Sequence, residues 1–351
     1  MNATIRLSQN SWEKQKDRAI MRARTFIESQ QSSDGNWTDF YIPRIGWSTH
    51  WVTSYIANIL LYADATAAYL YKARAWLCAS ELSSGGWGYN QNNLADADST
   101  ANVTRFLAAT TFTPTQKRWL RRIGDLLLSF QDSDSGGFIT YRPLYKSGGW
   151  MYEGSAWCSP EVSVTAMVGQ ALMVINCFAY REALAKVRDY LLRCQSPSGY
   201  WETYWWEGRL YGTHLICNLL MQFQEHQPIE RAICWLLSQR SPDGGWGNGF
   251  ESKSTPFHTA LAISTLYTGV RTEADTAAIS DGIYWLLENQ QEDGSWESSA
   301  MLRIPEPYVH NPWCELHRAH AQVVFDTNRL FTTATVLSTL LLDKVPKSVD
   351  A

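Results

Sequence analysis

Apolar residues recur along this chain with a helical rather than an alternating period, and two kinds of segment follow one another. The first kind is amphipathic, carries charged residues, and ends in a Leu-Leu pattern. The second kind has smaller residues and few charges. The pattern therefore predicts pairs of helices, one facing solvent and one buried. Clear examples of the first kind begin at Ile123, Val187, Ala232 and Gly282.

A short turn sequence follows each charged helix and repeats along the chain. Its closing aromatic residues stand 50, 51, 63, 45 and 50 positions apart, a spacing typical of a repeat architecture. Glycine supplies the turn conformation, and we expect the tryptophan to pack back on the preceding helix. The six copies run over 31–37, 81–87, 131–138, 195–201, 239–246 and 290–296.

The repeats predict one all-α domain over residues 1–351, a single (α/α)6 barrel in which six charged outer helices alternate with six inner helices. An open solenoid could use the same unit, but six copies with short connections favour a closed toroid. The inner helices should then all begin at one end of the barrel. Their predicted starts are near Ser48, Ser99, Glu161, Gly212, Thr255 and Leu330.

Composition narrows the classes of function. The net charge of -4 gives no reason to expect a nucleic-acid partner, and no obligate protein partner is expected. Seven cysteines without a Cys-x-x-Cys spacing are typical of a reduced, cytoplasmic protein. The amino-terminal residues lack the apolar region of a signal peptide, and no run of about 18 apolar residues occurs. We therefore expect a soluble protein, or at most peripheral membrane contact.

The stretch Leu94 to Ala101 carries the candidate chemistry. Asp96 and Asp98 lie one residue apart, and Ser99 and Thr100 lead into an apolar run, which predicts a helix start. If both carboxyls face a dry pocket, desolvation and like-charge repulsion should keep one protonated, giving a buried acid. The alternative is a helix cap within a solvated acidic turn.

Two motifs carry a resemblance to a known family. The glutamine-to-tryptophan turns resemble the repeats of squalene-hopene and oxidosqualene cyclases. The stretch Asp96-Ala-Asp98-Ser99-Thr100-Ala101 resembles the Asp-x-Asp-Asp-Thr-Ala signature of class II terpene cyclases, with Ser99 in the third carboxylate position. Because there are repeats for only one barrel, the chain is most similar to monodomain meroterpenoid cyclases of the merosterolic acid synthase type.

The resemblance implies roles for particular residues. Asp98 would be the proton donor, with Asp96 and Ser99 as hydrogen-bonding supports that orient its proton. Tyr89, Trp205 and Tyr211 match cavity positions, and we add Trp47, Trp157 and Phe331 from their places at inner-helix starts. Aromatic faces stabilise carbocations without trapping them. For each of these rings, core packing is the alternative, and we expect Trp37, Trp87, Trp201, Trp246 and Trp296 to be structural.

Other polar residues are candidates of lower rank. His214 and His258 could assist reprotonation or the final deprotonation, although structural histidines are the alternative. Arg329 could hold a polar substrate head or form a plain ion pair. No metal site is expected, because the run from His310 through Cys314 and His317 to His320 matches no standard zinc spacing and the Asp-Asp-x-x-Asp signature is absent.

The sequence thus predicts a cofactor-independent enzyme that cyclises a linear isoprenoid, or a prenylated aromatic acid or phenol, by protonating it. Two alternatives remain open at this stage. One is a carbohydrate-active α/α barrel, because tryptophan and paired carboxylates also suit sugars. The other is a non-catalytic isoprenoid-binding barrel.

Overall fold

Twelve α-helices form two concentric rings in the computed structural model, which describes residues 9–63, 67–109, 113–144, 150–249, 253–269 and 272–342. Each inner helix packs against the next, and the last packs against the first, so the inner ring is closed. The predicted α/α barrel is therefore confirmed. The inner helices are α2 (His50–Ala63), α4 (Ala97–Ala108), α6 (Val162–Asn176), α8 (Leu210–Gln222), α10 (Pro256–Leu266) and α12 (Leu330–Leu342).

The outer helices carry the charged segments. Small and apolar residues keep the inner helices buried on nearly every face, whereas the outer helices bury only one stripe, as α5 does with Leu120, Ile123 and Leu127. The outer helices are α1 (Gln9–Ser29), α3 (Ala68–Ala79), α5 (Pro114–Leu128), α7 (Arg181–Arg193), α9 (His226–Ser238) and α11 (Glu273–Glu288).

The repeated turns lock each outer helix to an inner one, as predicted. In five copies the indole Nε1 donates to the carbonyl ten residues earlier, for example from Trp246 to Leu236 at 2.9 Å, and the ring is fully buried. In all six copies the backbone N–H of the closing aromatic donates to an inner-helix threonine. The acceptors are Thr53, Thr100, Thr165, Thr213, Thr259 and Thr333.

Glutamine joins neighbouring repeats. The Gln31 amide donates to the Gly35 carbonyl and to Tyr69 in the following outer helix, at 2.8 and 2.9 Å. Gln290 makes the same pair of bonds to Gly294 and to Ala19 in the first outer helix, at 2.9 and 3.0 Å. Because that second partner lies near the start of the chain, the last turn closes the outer ring.

In the described part of the chain, three small antiparallel hairpins lie among the connections that lead into the inner helices. They are β1 (Asp39–Ile42) with β2 (Gly46–Ser48), β3 (Phe138–Ile139) with β4 (Pro160–Glu161), and β5 (Met301–Pro305) with β6 (Ala321–Phe325). The all-α prediction did not include them, because strands of two to five residues give no clear alternating pattern. No helix within the described ranges is both long and apolar enough to cross a lipid bilayer.

Buried carboxylates tie the hairpins to the inner helices. Asp39 of β1 accepts hydrogen bonds from the backbone N–H groups of Leu330 and Phe331, at 2.9 and 3.2 Å, which caps α12 from a distant part of the chain. Asp326 caps the same helix through Thr332, at 2.7 Å. Burial raises the pKa of Asp39 to about 7 and that of Asp326 to about 6.

Candidate active site

A cavity of about 290 Å³ opens where the inner helices begin. Its wall combines the start of α4 with side chains from the β1–β2 and β5–β6 hairpins and from the loops before α6 and α8. Most of this surface is aromatic or aliphatic. Ile42, Ile45, Leu302 and Ile304 supply the aliphatic part, and Asp98 and Ser163 are among the few polar groups. Such a chamber suits a long apolar ligand and excludes bulk water from its acidic group.

Asp98 lies in the first turn of α4, and its carboxyl faces the cavity. Among the described residues, no group donates a hydrogen bond of ordinary geometry to it. The indole N–H of Trp51 lies close enough to favour the ionised form, yet it too makes no such bond. Desolvation, followed by the charges of Asp96 and Glu161, raises the pKa of Asp98 well above its ordinary value. The environment of Asp98 therefore favours its neutral, protonated form.

Asp96 caps the start of α4. Its carboxylate accepts the Ser99 backbone N–H at 2.6 Å and the Ser99 hydroxyl at 2.9 Å, which caps α4. Among the described residues neither side chain bonds to the Asp98 carboxyl, so the expected direct support of its proton is not found; it is the Asp98 backbone N–H that lies near the Asp96 carboxylate. Both still line the cavity beside it, and burial raises the pKa of Asp96 to about 7. Asp96 acts on Asp98 through its charge and through the position of the helix.

Three of the predicted aromatic residues line the cavity, namely Tyr89, Trp157 and Trp205. Their polar atoms are held by the protein. The Trp157 indole donates to the Pro305 carbonyl at 2.9 Å, and that of Trp205 donates to the Thr140 hydroxyl at 2.8 Å. The two indole rings meet edge to face at 5.2 Å. Because these bonds fix the rings, their faces are available to the chamber.

Sequence reasoning missed several cavity residues. Trp51, Tyr141, Trp150 and Trp206 also line the chamber. Trp206 directly follows Trp205, and such a Trp-Trp pair before an inner helix could have drawn attention to both. Trp51 lies in the first turn of α2, where core packing is an equally plain role for an aromatic residue. Tyr141 and Trp150 lie in the long third connection, which carries no repeat signal.

Phe331 and Tyr211 form a layer beneath the chamber rather than its surface. Trp206 stacks on Tyr211 at a centroid distance of 3.8 Å, and Phe331 stacks on Trp51 at 4.8 Å. Both Phe331 and Tyr211 are buried, and the Tyr211 hydroxyl has no hydrogen-bond partner among the residues that the structure describes. This second layer of rings holds the lining indoles in place.

Four predicted site residues lie away from the chamber. Trp47 is 39% exposed and packs on Tyr41. His214 contacts Asn218, and His258 contacts the Thr255 hydroxyl at 2.7 Å. Burial lowers the pKa of each histidine to about 4, so both are neutral.

Arg329 is the fourth of these residues. Its guanidinium pairs with Asp293 at 2.9 Å and donates to Ser295 at 2.7 Å, beside a separate surface depression. The ion-pair alternative considered for Arg329 is therefore what the structure contains, and a role in holding a substrate head in the chamber is not supported.

The histidine-rich run lies beside the β5–β6 hairpin. His317 contacts the Asn311 carbonyl at 3.1 Å, and His320 meets the ring of Tyr308. Across the part of the chain that the structure describes, no three His, Cys, Asp or Glu side chains are grouped as metal ligands.

Comparison with known proteins agrees with this geometry. Residues 172–304 match the family described as squalene-hopene cyclase C-terminal domain. The squalene-hopene cyclase of Zymomonas mobilis is 28% identical over 255 residues, which is 62% of this chain and 36% of that protein. Mouse lanosterol synthase is 30% identical over 207 residues, 49% of this chain and 27% of that enzyme. The chain thus spans roughly a third of the length of such curated relatives.

Solved structures match nearly the whole chain. The type II terpene cyclase MstE from Scytonema superposes with a TM-score of 0.80 at 27% identity, covering 94% of this chain and 99% of MstE. An MstE variant bound to geranylgeranyl dihydroxybenzoate, described as its substrate, superposes with a TM-score of 0.78, also at 27% identity, over 93% and 97% of the two chains. The resemblance expected from the turns and the Asp96–Asp98 stretch is thereby confirmed: this chain is similar in sequence to the squalene-hopene cyclases, and in sequence and fold to type II terpene cyclases.

Proposed function

We propose that this protein is a class II terpene cyclase that starts a cyclisation by transferring the Asp98 proton to an alkene. The observation that carries the proposal is that the Asp98 carboxyl faces an aromatic chamber and does not serve as the cap of its helix, while desolvation raises its pKa. A general acid has to present its proton to the reacting atom in a water-poor site. Asp98 meets that condition, whereas the carboxylate of Asp96 is occupied by the helix cap.

The reaction would proceed without a cofactor. The Asp98 O–H adds its proton to the less substituted carbon of the terminal alkene, leaving a tertiary cation and an Asp98 carboxylate. Internal alkenes then attack in succession, each forming a carbon–carbon bond and passing the positive charge along the chain. Loss of a proton, or capture of water with loss of its proton, ends the cascade. One proton enters and one leaves.

The rings around the chamber would lower the energy of the travelling cation. A desolvated aromatic face contributes about 0.5–2 kcal/mol to a nearby cation. Trp51, Trp157, Trp205 and Trp206 present such faces on several sides of the chamber, with their orientation fixed by packing. The aliphatic residues between them offer no nucleophile that would trap the cation.

The substrate class we favour is a linear isoprenoid attached to an aromatic acid or phenol. Support comes from MstE, which was solved with geranylgeranyl dihydroxybenzoate and with merosterolic acid A, described as its product. The similarity of this chain to MstE extends over almost the whole of both chains. We also propose that the barrel acts as one domain and needs no protein partner.

The test is a product assay with the purified protein in H2O and in D2O. The substrates supplied are farnesyl and geranylgeranyl dihydroxybenzoates, the free polyprenols and squalene. The products are separated by chromatography and their masses are determined by mass spectrometry. We expect a product isomeric with one of the prenylated arenes, and one added deuterium in D2O. The Asp98→Asn variant should form at least about a hundredfold less. Equal turnover by the variant, or no product from any isoprenoid, would refute the proposal.

A further inference from the structure

Each turnover under the proposed function leaves Asp98 as a carboxylate that must regain a proton. The start of α6, next to α4 in the inner ring, contains a hydrogen-bonded pair placed for that purpose. The Ser163 side chain lines the main cavity together with Asp98. Its hydroxyl donates to Glu161 Oε2 at 2.6 Å. Glu161 in turn lines a second cavity, of about 360 Å³, on the other side of the helix start.

The second cavity reaches the protein surface. Cys194 and His310, which line it, are exposed side chains. Glu161 itself is only 6% exposed, and the rest of its carboxylate accepts backbone N–H groups from Val164 at 2.8 Å and Tyr204 at 3.0 Å. Glu161 is therefore a buried carboxyl that lines a solvent-connected cavity and is hydrogen-bonded to a residue that lines the reaction chamber.

From this juxtaposition, and on the basis of the proposed function, we infer that Glu161 and Ser163 form the proton relay that recharges Asp98 between turnovers. When Glu161 takes up a proton, its hydrogen bond with Ser163 reverses and the Glu161 O–H donates to Ser163 Oγ. As that proton moves to Oγ, the hydrogen of Ser163 passes to water that enters the emptied chamber, and that water protonates the Asp98 carboxylate. Glu161 regains a proton from solvent in the second cavity. The serine ends with one hydrogen, and the net result is one proton moved from solvent to Asp98.

The charges that face Glu161 are consistent with this role. Glu161 and Asp98 repel each other, so ionisation of one favours a proton on the other. Burial raises the pKa of Glu161, while its hydrogen bonds from Ser163, Val164 and Tyr204 oppose that rise. Of the other acidic residues lining the second cavity, Glu202 is occupied by Arg209 at 2.9 Å. The two buried histidines expected to assist reprotonation line neither cavity.

Pre-steady-state kinetics separates recharging from cyclisation. Wild-type protein, Glu161→Gln and Ser163→Ala are each mixed with a geranylgeranyl dihydroxybenzoate, first with enzyme in excess and then with substrate in excess. In both variants we expect the steady-state rate to fall at least about tenfold more than the rate of the first turnover. Ser163→Ala leaves the bond from Val164 to Glu161 in place, so it tests the relay even if Glu161→Gln folds poorly.

The control is Ser159→Ala, because Ser159 also lines the second cavity but donates to the Ser155 carbonyl instead. It should change neither rate. An unchanged steady-state rate in Ser163→Ala would overturn the relay. An equal loss of first and later turnovers would also overturn it, because that result indicates a structural role. Absence of product from wild type would instead count against the proposed function itself.

Discussion

Replacing Asp98 by asparagine should remove activity and yet make the folded protein more stable above about pH 4. The indole N–H of Trp51 lies near the Asp98 carboxyl, and the side-chain oxygen of asparagine can still accept from it, so the substitution keeps that contact. In the unfolded chain an aspartate ionises near pH 3.9. In the folded protein burial raises the pKa of Asp98, so wild type must hold a proton that the unfolded chain releases. Ionisation therefore favours unfolding as the pH rises, and asparagine removes that effect.

The size of this effect follows from proton linkage. For every pH unit above about 4 over which folded Asp98 keeps its proton, the free energy of unfolding of wild type falls by up to about 1.4 kcal/mol relative to that of Asp98→Asn. For a chain of 351 residues, the average unfolding entropy per residue converts that loss to about 2 °C in melting temperature per pH unit. The assay is thermal unfolding of both proteins between pH 4 and pH 8.

Asp96 provides the contrast. Asp96→Ala removes the cap that accepts the Ser99 backbone N–H, so it should lower the free energy of unfolding by about 0.5–2 kcal/mol. This loss is expected even near pH 4, where Asp98→Asn should be as stable as wild type. The exposed Asp34 is the control, and Asp34→Asn should give unfolding curves parallel to those of wild type. The interpretation would be refuted if the melting temperature of Asp98→Asn followed that of wild type from pH 4 to pH 8, or were lower than it throughout. Asp98 would then not be a neutral acid in the folded protein.

Three further outcomes are expected. The rate of cyclisation should be highest at low pH and fall as the pH rises through the raised pKa of Asp98, because only the protonated form donates; a rate that rises with pH over that window would contradict this. Trp51→Phe removes an N–H that favours the Asp98 carboxylate, so the pKa of Asp98 should rise and the fall in rate should move to higher pH. If the fall in rate stayed at the same pH, the Trp51 N–H would have no effect on the pKa of Asp98. Thr259→Val leaves the buried backbone N–H of Trp246 without its acceptor at 2.9 Å, and this should lower the free energy of unfolding by about 1–3 kcal/mol, measured by chemical denaturation. The control, Thr276→Val on the exposed face of α11, should not cause such a loss.

The ring of helices could be predicted from sequence because one local pattern occurs six times. Each copy joins an outer helix, a turn and an inner helix, and the same tryptophan and threonine contacts recur in the structure. The hairpins could not be predicted, since their strands are short and their partners are distant. The β5–β6 register places Met301 opposite Phe325, and no property of either segment alone fixes that pairing.

The place of Asp98 at a helix start could be predicted, whereas four of the seven aromatic residues that line the cavity in the described part of the chain could not. Asp98 stands out because a helix start brings two carboxylates together. The aromatic residues proved harder, because position at an inner-helix start does not determine whether a ring reaches the chamber. Phe331 and Trp51 both lie in first turns, yet Trp51 lines the cavity and Phe331 packs beneath it. That difference depends on the loops above, which contribute Trp206, a ring that contacts both.

The carboxylates near the inner-helix starts explain how one of them becomes an acid. Backbone N–H groups at a helix start stabilise a carboxylate that caps them, which favours its charged form. Asp39, Asp96, Glu161 and Asp326 each cap a helix in this way and are held by two or more donors. Asp98 lies two residues inside α4, where Asp96 already serves as the cap. Burial raises the pKa of these capping carboxyls as well as that of Asp98. Among the described residues, Asp98 differs from Asp96 in having fewer donors to offset desolvation and in not serving as the cap of α4, so its proton is available for the role proposed for it.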